Sequence, residues 1–132
     1  MKKSGIWIDS KKAWISSLEN GNEEFVQVTS DVEDTNPGGG YGGAKKYGPQ
    51  VASPEDKILK RKKQQFKAFY ADVVEHVKDV DEVLVEGPAE AKLGMLQFIK
   101  EQHGMRDTKV TLRTTDSITE NQFKAGVREF FE

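Results

Sequence analysis

The sequence contains no cysteine, which excludes disulfides and thiolate metal sites and leads us to expect a reducing, intracellular setting. Histidine is scarce, with two scattered residues that suggest no ligand pair. No apolar run approaches the length of roughly 20 residues that a membrane-spanning helix needs. The opening "MKKSGIWIDSKKAW" places two lysines before an apolar stretch, but Asp9 and Lys11 interrupt that stretch before a signal-peptide core can form. A cytoplasmic protein with no membrane partner is expected. The net charge of −2 is ordinary for such a protein, and 132 residues suit a single domain spanning 1–132.

The first third has strand character. "GIWID" and "AWISSL" are rich in aromatic and β-branched residues and flank the turn-like Asp9-Ser10-Lys11-Lys12. Asn20-Gly21 is a hairpin signal because both residues tolerate positive φ, and "EFVQVTS" supplies a third strand of an antiparallel meander. A glycine-rich loop at about 34–52 has no periodicity. Ser53 then stands as an N-cap, Pro54 as a first helical residue, and Glu55 and Asp56 at the positive end of the dipole. Phe66, Phe69, Tyr70, Val73 and Val77 repeat at helical spacing, so the second half of this long helix is its packed half.

"EVLVE" has the continuous apolar character of a strand covered on both faces. A second helix is expected to turn Ala91, Met95, Leu96 and Ile99 inward and to end at Gly104, and "KVTLRT" alternates as a fifth strand. The last helix has the clearest start, with Thr119 and Gln122 spaced as a capping box and Ile118 and Phe123 as a hydrophobic staple. Phe123, Val127, Phe130 and Phe131 follow as its stripe. The order is three strands, helix, strand, helix, strand, helix. Helical crossovers favour parallel pairing of the fourth and fifth strands beside the first, giving an α/β, RNase H-like three-layer fold around a mixed five-stranded sheet.

The strand-to-helix corner "VEGPAEAKL" invites a test for phosphate binding. A P-loop needs several small residues whose N–H groups wrap the anion, closing with Gly-Lys-Ser/Thr. Here there is one glycine, no Gly-Lys pair and no hydroxyl after Lys92. Gly87 is read as a sharp exit from the strand, intolerant of a β-branched residue if its φ is positive, Pro88 as the helix opener, and Glu90 as a cap that would repel phosphate, so Gly87, Pro88 and Lys92 form a structural turn. An actin-like nucleotide site is disfavoured because "IDSKKAW" lacks glycine where phosphates would approach.

The fold order raises a different chemistry. Nucleases of this fold hold two metal ions on strand-end carboxylates, and Asp9, Glu86 and Asp116 all fall after or at the ends of strands. A metal-dependent nuclease using Asp9 and Glu86, with Asp116 third, is therefore the alternative function. No helical carboxylate completes the set, and acidic strand ends are common in so charged a chain.

"VLVEGPAEAKLGMLQFI" resembles the strand, Gly-Pro turn and lysine-bearing helix of the third domain of the archaeal and eukaryotic class I release factor and its relative Pelota. "DSITENQFKAGVREFF" and "GIWIDSKKAWI" resemble small stand-alone bacterial proteins grouped with that domain as translational-machinery relatives. The resemblance implies an RNase H-like domain without catalysis, metal or cofactor, acting by contact with the ribosome or a translation factor. Peptidyl-tRNA hydrolysis is not implied, since "GGGYGG" has no glutamine and the chain leaves no room for a peptide-release domain.

Charge is segregated. Between Lys45 and Lys67, eight lysines and arginines meet only Glu55 and Asp56, a local balance of +6 that leaves −8 for the remainder. Lys57, Lys60, Arg61, Lys62, Lys63 and Lys67 on the helix, covering more than one of its sides, and Tyr41, Lys45, Lys46 and Tyr47 in the loop, are the candidate contacts. Lysines neutralise phosphates and tyrosines stack on unpaired bases, which suits ribosomal or other structured RNA. A solvated helix face, or a face for an acidic protein, is the other reading of the same residues.

Overall fold

The computed structural model describes residues 1–30, 32 and 54–132, with Pro54 and Glu55 by backbone only. The glycine-rich loop, with Tyr41, Lys45, Lys46 and Tyr47, and the Ser53 cap lie outside the described residues. The strands are β1 (Lys2–Ile8), β2 (Lys12–Glu19), β3 (Asn22–Thr29), β4 (Glu82–Gly87) and β5 (Lys109–Thr114). The helices are α1 (Pro54–Glu75), α2 (Ala91–Lys100) and α3 (Glu120–Phe130).

The strands lie in the order β3-β2-β1-β4-β5. β1, β2 and β3 form the antiparallel meander, while β4 and β5 run parallel to β1. Asn20 and Gly21 both have positive φ, at 52° and 84°, and close a two-residue hairpin with Glu19 opposite Asn22. β1 begins at Lys2, earlier than the expected Gly5, because its two lysines pair with Glu19 and Leu18 and extend the ladder.

Side-chain alternation divides the core into two layers. Ile6, Ile8, Ala13, Ile15, Val83 and Val85 meet Phe69 and Val73 of α1, Val77 in the turn that follows it, and Met95 and Ile99 of α2. On the other face Trp7 and Trp14 meet Phe123 and Val127 of α3, with Phe25 and Ile118 beside them. Gly5 is what lets α3 approach so closely, since a Cβ there would collide with the Val127 side chain. The α3 N-terminus forms the full capping box: Thr119 Oγ1 accepts from the Gln122 N–H at 3.1 Å, and Gln122 Oε1 accepts from the Thr119 N–H at 2.9 Å. Two helices on one face, one on the other and the sheet between them make a three-layer RNase H-like α/β fold.

α2 stops at Lys100, not at Gly104. Gln102 takes an extended backbone, and its side-chain amide donates to the Phe98 carbonyl at 3.1 Å. That bond satisfies a terminal carbonyl without a left-handed glycine. Gly104 lies instead in a short 3-10 turn, His103–Met105, that buries Met105.

Candidate functional site

The corner after β4 is self-contained. Gly87 does not have positive φ; glycine is required for space, because a Cβ would run into the Ile8 carbonyl oxygen of the neighbouring strand. The strand continues through Gly87, which pairs with Thr114, so the chain needs Pro88 and Ala89 to bend before α2 can begin. Pro88 is consequently not a first helical residue. Glu90 occupies the N-cap position without a side-chain cap bond. Lys92 is only 8% exposed, and its Nζ donates to the Ala89 carbonyl at 2.5 Å. The lysine is thus engaged by its own turn.

The strand-end carboxylates are engaged separately. Asp9 Oδ1 accepts from the backbone N–H groups of Lys11 and Lys12 at 2.8 and 2.9 Å, closing the β1–β2 turn as aspartate commonly does. Glu86, 1% exposed, accepts two hydrogen bonds from Arg113 on β5. The chain leaving β5 crosses this region: the Thr115 N–H donates to the Gly87 carbonyl at 3.0 Å, and Ile118 packs against the Trp7 and Trp14 cluster. Asp116 is exposed on that connection. Among the described residues, no three histidine, aspartate or glutamate side chains are placed to hold a metal ion. The alternative Asp9, Glu86 and Asp116 site is therefore not assembled, because one carboxylate closes a turn and another is bound by a guanidinium.

The basic residues of α1 have a simpler geometry than their sequence density suggested. Lys57, Lys60, Arg61, Lys63 and Lys67 are exposed, whereas Lys62 is half-buried. Helical periodicity places Lys62 on the side of Phe66 and Phe69, which face the core. Lys57, Lys60, Lys63 and Lys67 form one ridge, and Arg61 lies beside it, lining a groove of about 320 Å³ with Thr29, Ser30, Gln64 and Asp72. No residue of α1 before Phe69 is buried among those described, so the basic half of the helix contributes little to the core. Leu59, 54% exposed, continues the core-facing line of the helix beyond its packed half.

The ridge is costly to the helix that carries it. Lys57–Lys60 and Lys60–Lys63 are like-charge neighbours at i,i+3, and Lys63–Lys67 at i,i+4; such pairs destabilise a helix by about 0.2–0.5 kcal/mol each, and the single opposite-charge spacing, Asp56–Lys60 at i,i+4, offsets one of the three.

The residue missing from the sequence reading is Arg113. Its signal was present: Glu82 and Glu86 on β4 match Lys109 and Arg113 on β5 at the same spacing, and the parallel register sets them side by side.

With its mixed sheet and flanking helices, the chain has an RNase H-like architecture seen in domains of larger proteins. Archaeoglobus fulgidus Pelota is similar over 97% of this chain, with a TM-score of 0.57 and 14% identity. The archaeal translation termination factor aRF1 is similar over 98%, with a TM-score of 0.51 and 13% identity. The chain spans 31% of the Pelota chain and 39% of the aRF1 chain, a domain-sized part of each. No protein-family model and no curated protein matches the sequence. No helix among the described residues is long and apolar enough to cross a membrane.

Proposed function

We propose that this protein is a non-catalytic binding module of the translation apparatus that contacts the ribosome or a translation factor through the exposed basic face of α1. The observation that carries the reading is the ridge Lys57, Lys60, Lys63 and Lys67, on whose face Asp56 is the one acidic residue among those described, held on a half-helix whose described side chains are exposed or only partly buried. A helix that bears repulsive neighbours and little core packing is explained by a negatively charged partner. The whole-chain likeness to one domain of Pelota and of aRF1 supports a setting in translation. In this reading Asp9 and Glu86 serve the fold, and Gly87, Pro88 and Lys92 shape a structural corner. Arg61, and Lys45 and Lys46 with Tyr41 and Tyr47 of the glycine-rich loop, extend the contact; Lys62 adds to it only through its exposed fraction.

Sedimentation with ribosomes through sucrose across a salt series tests the reading. The protein is expected to co-sediment at low salt and to be released as salt rises. Replacing Lys57, Lys60, Lys63 and Lys67 together by glutamate is expected to abolish co-sedimentation with an unchanged circular dichroism spectrum. Co-sedimentation of that variant at the same salt midpoint would place the contact elsewhere.

A further inference from the structure

We infer that β5 is a self-association edge, on which two copies of this chain join their sheets by antiparallel pairing about a two-fold axis at Leu112. The edge is remote in kind from the basic face of α1, and its role does not depend on the proposed place in translation.

Three observations carry it. The first is the backbone. β5 ends the sheet, and among the described residues only β4 pairs with it. The Lys109 N–H donates to the Asp81 carbonyl at 3.1 Å, and the Thr115 N–H to the Gly87 carbonyl at 3.0 Å. Odd-numbered residues therefore turn their backbone groups toward β4, and alternation points the N–H and C=O of Val110, Leu112 and Thr114 out of the sheet. Such an edge is a template for another strand.

The second is the side chains beside that edge. Val110 packs against the core on the α2 side of the sheet, and Leu112, two residues on, shares this face yet is 37% exposed. On α2, Leu93 is 50% exposed and Leu96 is half-buried. A Cβ on Gly94 would collide with Tyr70 of α1, and the Phe98 ring lies 6.0 Å from that of Tyr70, so helical periodicity sets Leu93 and Leu96 on the side of α2 away from α1. α2 packs over β4 and β5, and that side overlooks the open edge. The edge thus carries an apolar strip.

The third is charge, which selects the occupant and the register. Lys109 and Arg113 would guard the edge, but Glu82 and Glu86 of β4 already balance them at 3.9 and 2.7 Å. Pairing centred on Thr111 would still set Lys109 opposite the second copy's Arg113, and like charges directly opposite are destabilising. Pairing centred on Val110 would bring Arg113 to Asp107, but it keeps only residues 109–111 of each β5 in the ladder. It also sets Leu112 opposite Thr108, whose N–H is given to the Met105 carbonyl at 3.2 Å. Centred on Leu112, pairing sets Arg113 opposite Thr111 and Val110 opposite Thr114, with Leu112 against its own counterpart. No like charges meet, about six backbone hydrogen bonds form, and the contact closes as a dimer. Docking of β5 on the acidic edge strand β3 of a second copy would instead be head-to-tail and would not close.

Sedimentation equilibrium of the full chain from micromolar to millimolar concentration tests the inference. A species of twice the 14.8 kDa chain mass is expected to dominate at the upper end. Leu112→Glu is expected to weaken dimerisation at least about tenfold with an unchanged circular dichroism spectrum, because the axis sets each new carboxylate against its own copy. Leu112→Lys is expected to do the same, and an equimolar mixture of the two variants to restore the dimer. Since the chain has no cysteine, Leu112→Cys supplies one thiol per copy, and mild oxidation is expected to link two copies. Thr114→Cys is not expected to link, because its counterpart lies roughly 14 Å away along the strands. A chain that stays monomeric at millimolar concentration, a Leu112→Glu variant that dimerises as tightly as the wild type, or a charge mixture that restores nothing overturns the inference. So does linkage through Thr114→Cys but not Leu112→Cys, or growth beyond the dimer, which would mark β5 docking on β3.

Discussion

Arg113 binds one oxygen of Glu86 with two nitrogens, Nε at 2.9 Å and Nη2 at 2.7 Å. The carboxylate is almost wholly buried, while the Arg113 side chain is 41% exposed and its guanidinium lies 5.6 Å from the Phe130 ring centroid. One residue thus neutralises an interior charge, ties the edge strand to β4 and touches α3.

Arg113→Met is expected to destabilise the protein by about 2–3 kcal/mol, below the 3–5 kcal/mol typical of a fully buried pair because water screens the exposed guanidinium. The double variant Glu86→Met with Arg113→Met is expected to recover most of that loss, since it leaves no unpaired buried charge. Denaturant midpoints of the wild type, both single variants and the double variant measure the coupling. Additive losses would show that the pair matters only through the space it fills.

Gly87→Ala is expected to cost stability toward the upper end of the roughly 1–3 kcal/mol associated with overpacking, because its Cβ meets the Ile8 backbone rather than a side chain that could rotate away. Gly104→Ala is the control: its backbone is not left-handed and nothing lies within 4 Å of the new atom, so a change within about 0.5 kcal/mol is expected. Melting temperatures decide, and equal behaviour of the two variants would refute the close-approach argument.

Lys60→Glu is expected to raise thermal stability slightly while weakening ribosome association. It converts repulsion with Lys57 and Lys63 into attraction, worth about 0.2–0.5 kcal/mol per pair, and the new repulsion with Asp56 at i−4 offsets only one of those two pairs. A stabilised variant that binds as tightly as the wild type would contradict a functional basis for the ridge.

Burial raises the Tyr70 hydroxyl above its ordinary value of 10.0. The folded state therefore keeps its proton at pH values where the unfolded chain has begun to lose it. The corresponding stability is complete below pH 10 and is lost as pH rises through the folded value. Chemical denaturation between pH 8 and 11 should show a steeper alkaline loss in the wild type than in Tyr70→Phe. Parallel curves would mean that the hydroxyl is equally acidic in both states.

The element order was legible because the signals were local: the Asn20-Gly21 turn, the Thr119 capping box and the change from two-residue to helical periodicity. Each is set by neighbours in sequence. The reason for glycine at the Gly87 corner was not legible, because the demand comes from Ile8 on another strand rather than from positive φ. Glu86 and Asp9 both stand at strand ends, as metal-binding carboxylates would, and only tertiary pairing with Arg113 or closure of a turn reveals their use. The basic residues were visible as composition. Their reduction to a ridge, with Lys62 set apart, required knowing which side of α1 meets the core.

The parallel contact of β1 with β4, from Lys3 opposite Glu82 to Trp7 opposite Glu86, imposes an order in time as the chain is made. The meander can close soon after residue 29 is synthesised, but one border of β1 must then wait for β4. At about 5–20 residues per second that wait lasts some seconds, long compared with the microseconds of hairpin formation. Throughout it Ile6, Trp7 and Ile8 present an unpaired apolar strand edge, the kind of surface on which misassociation begins. Arrival of Glu82–Gly87 makes this border interior, so completion of β4 is the step that commits the nascent chain to its sheet.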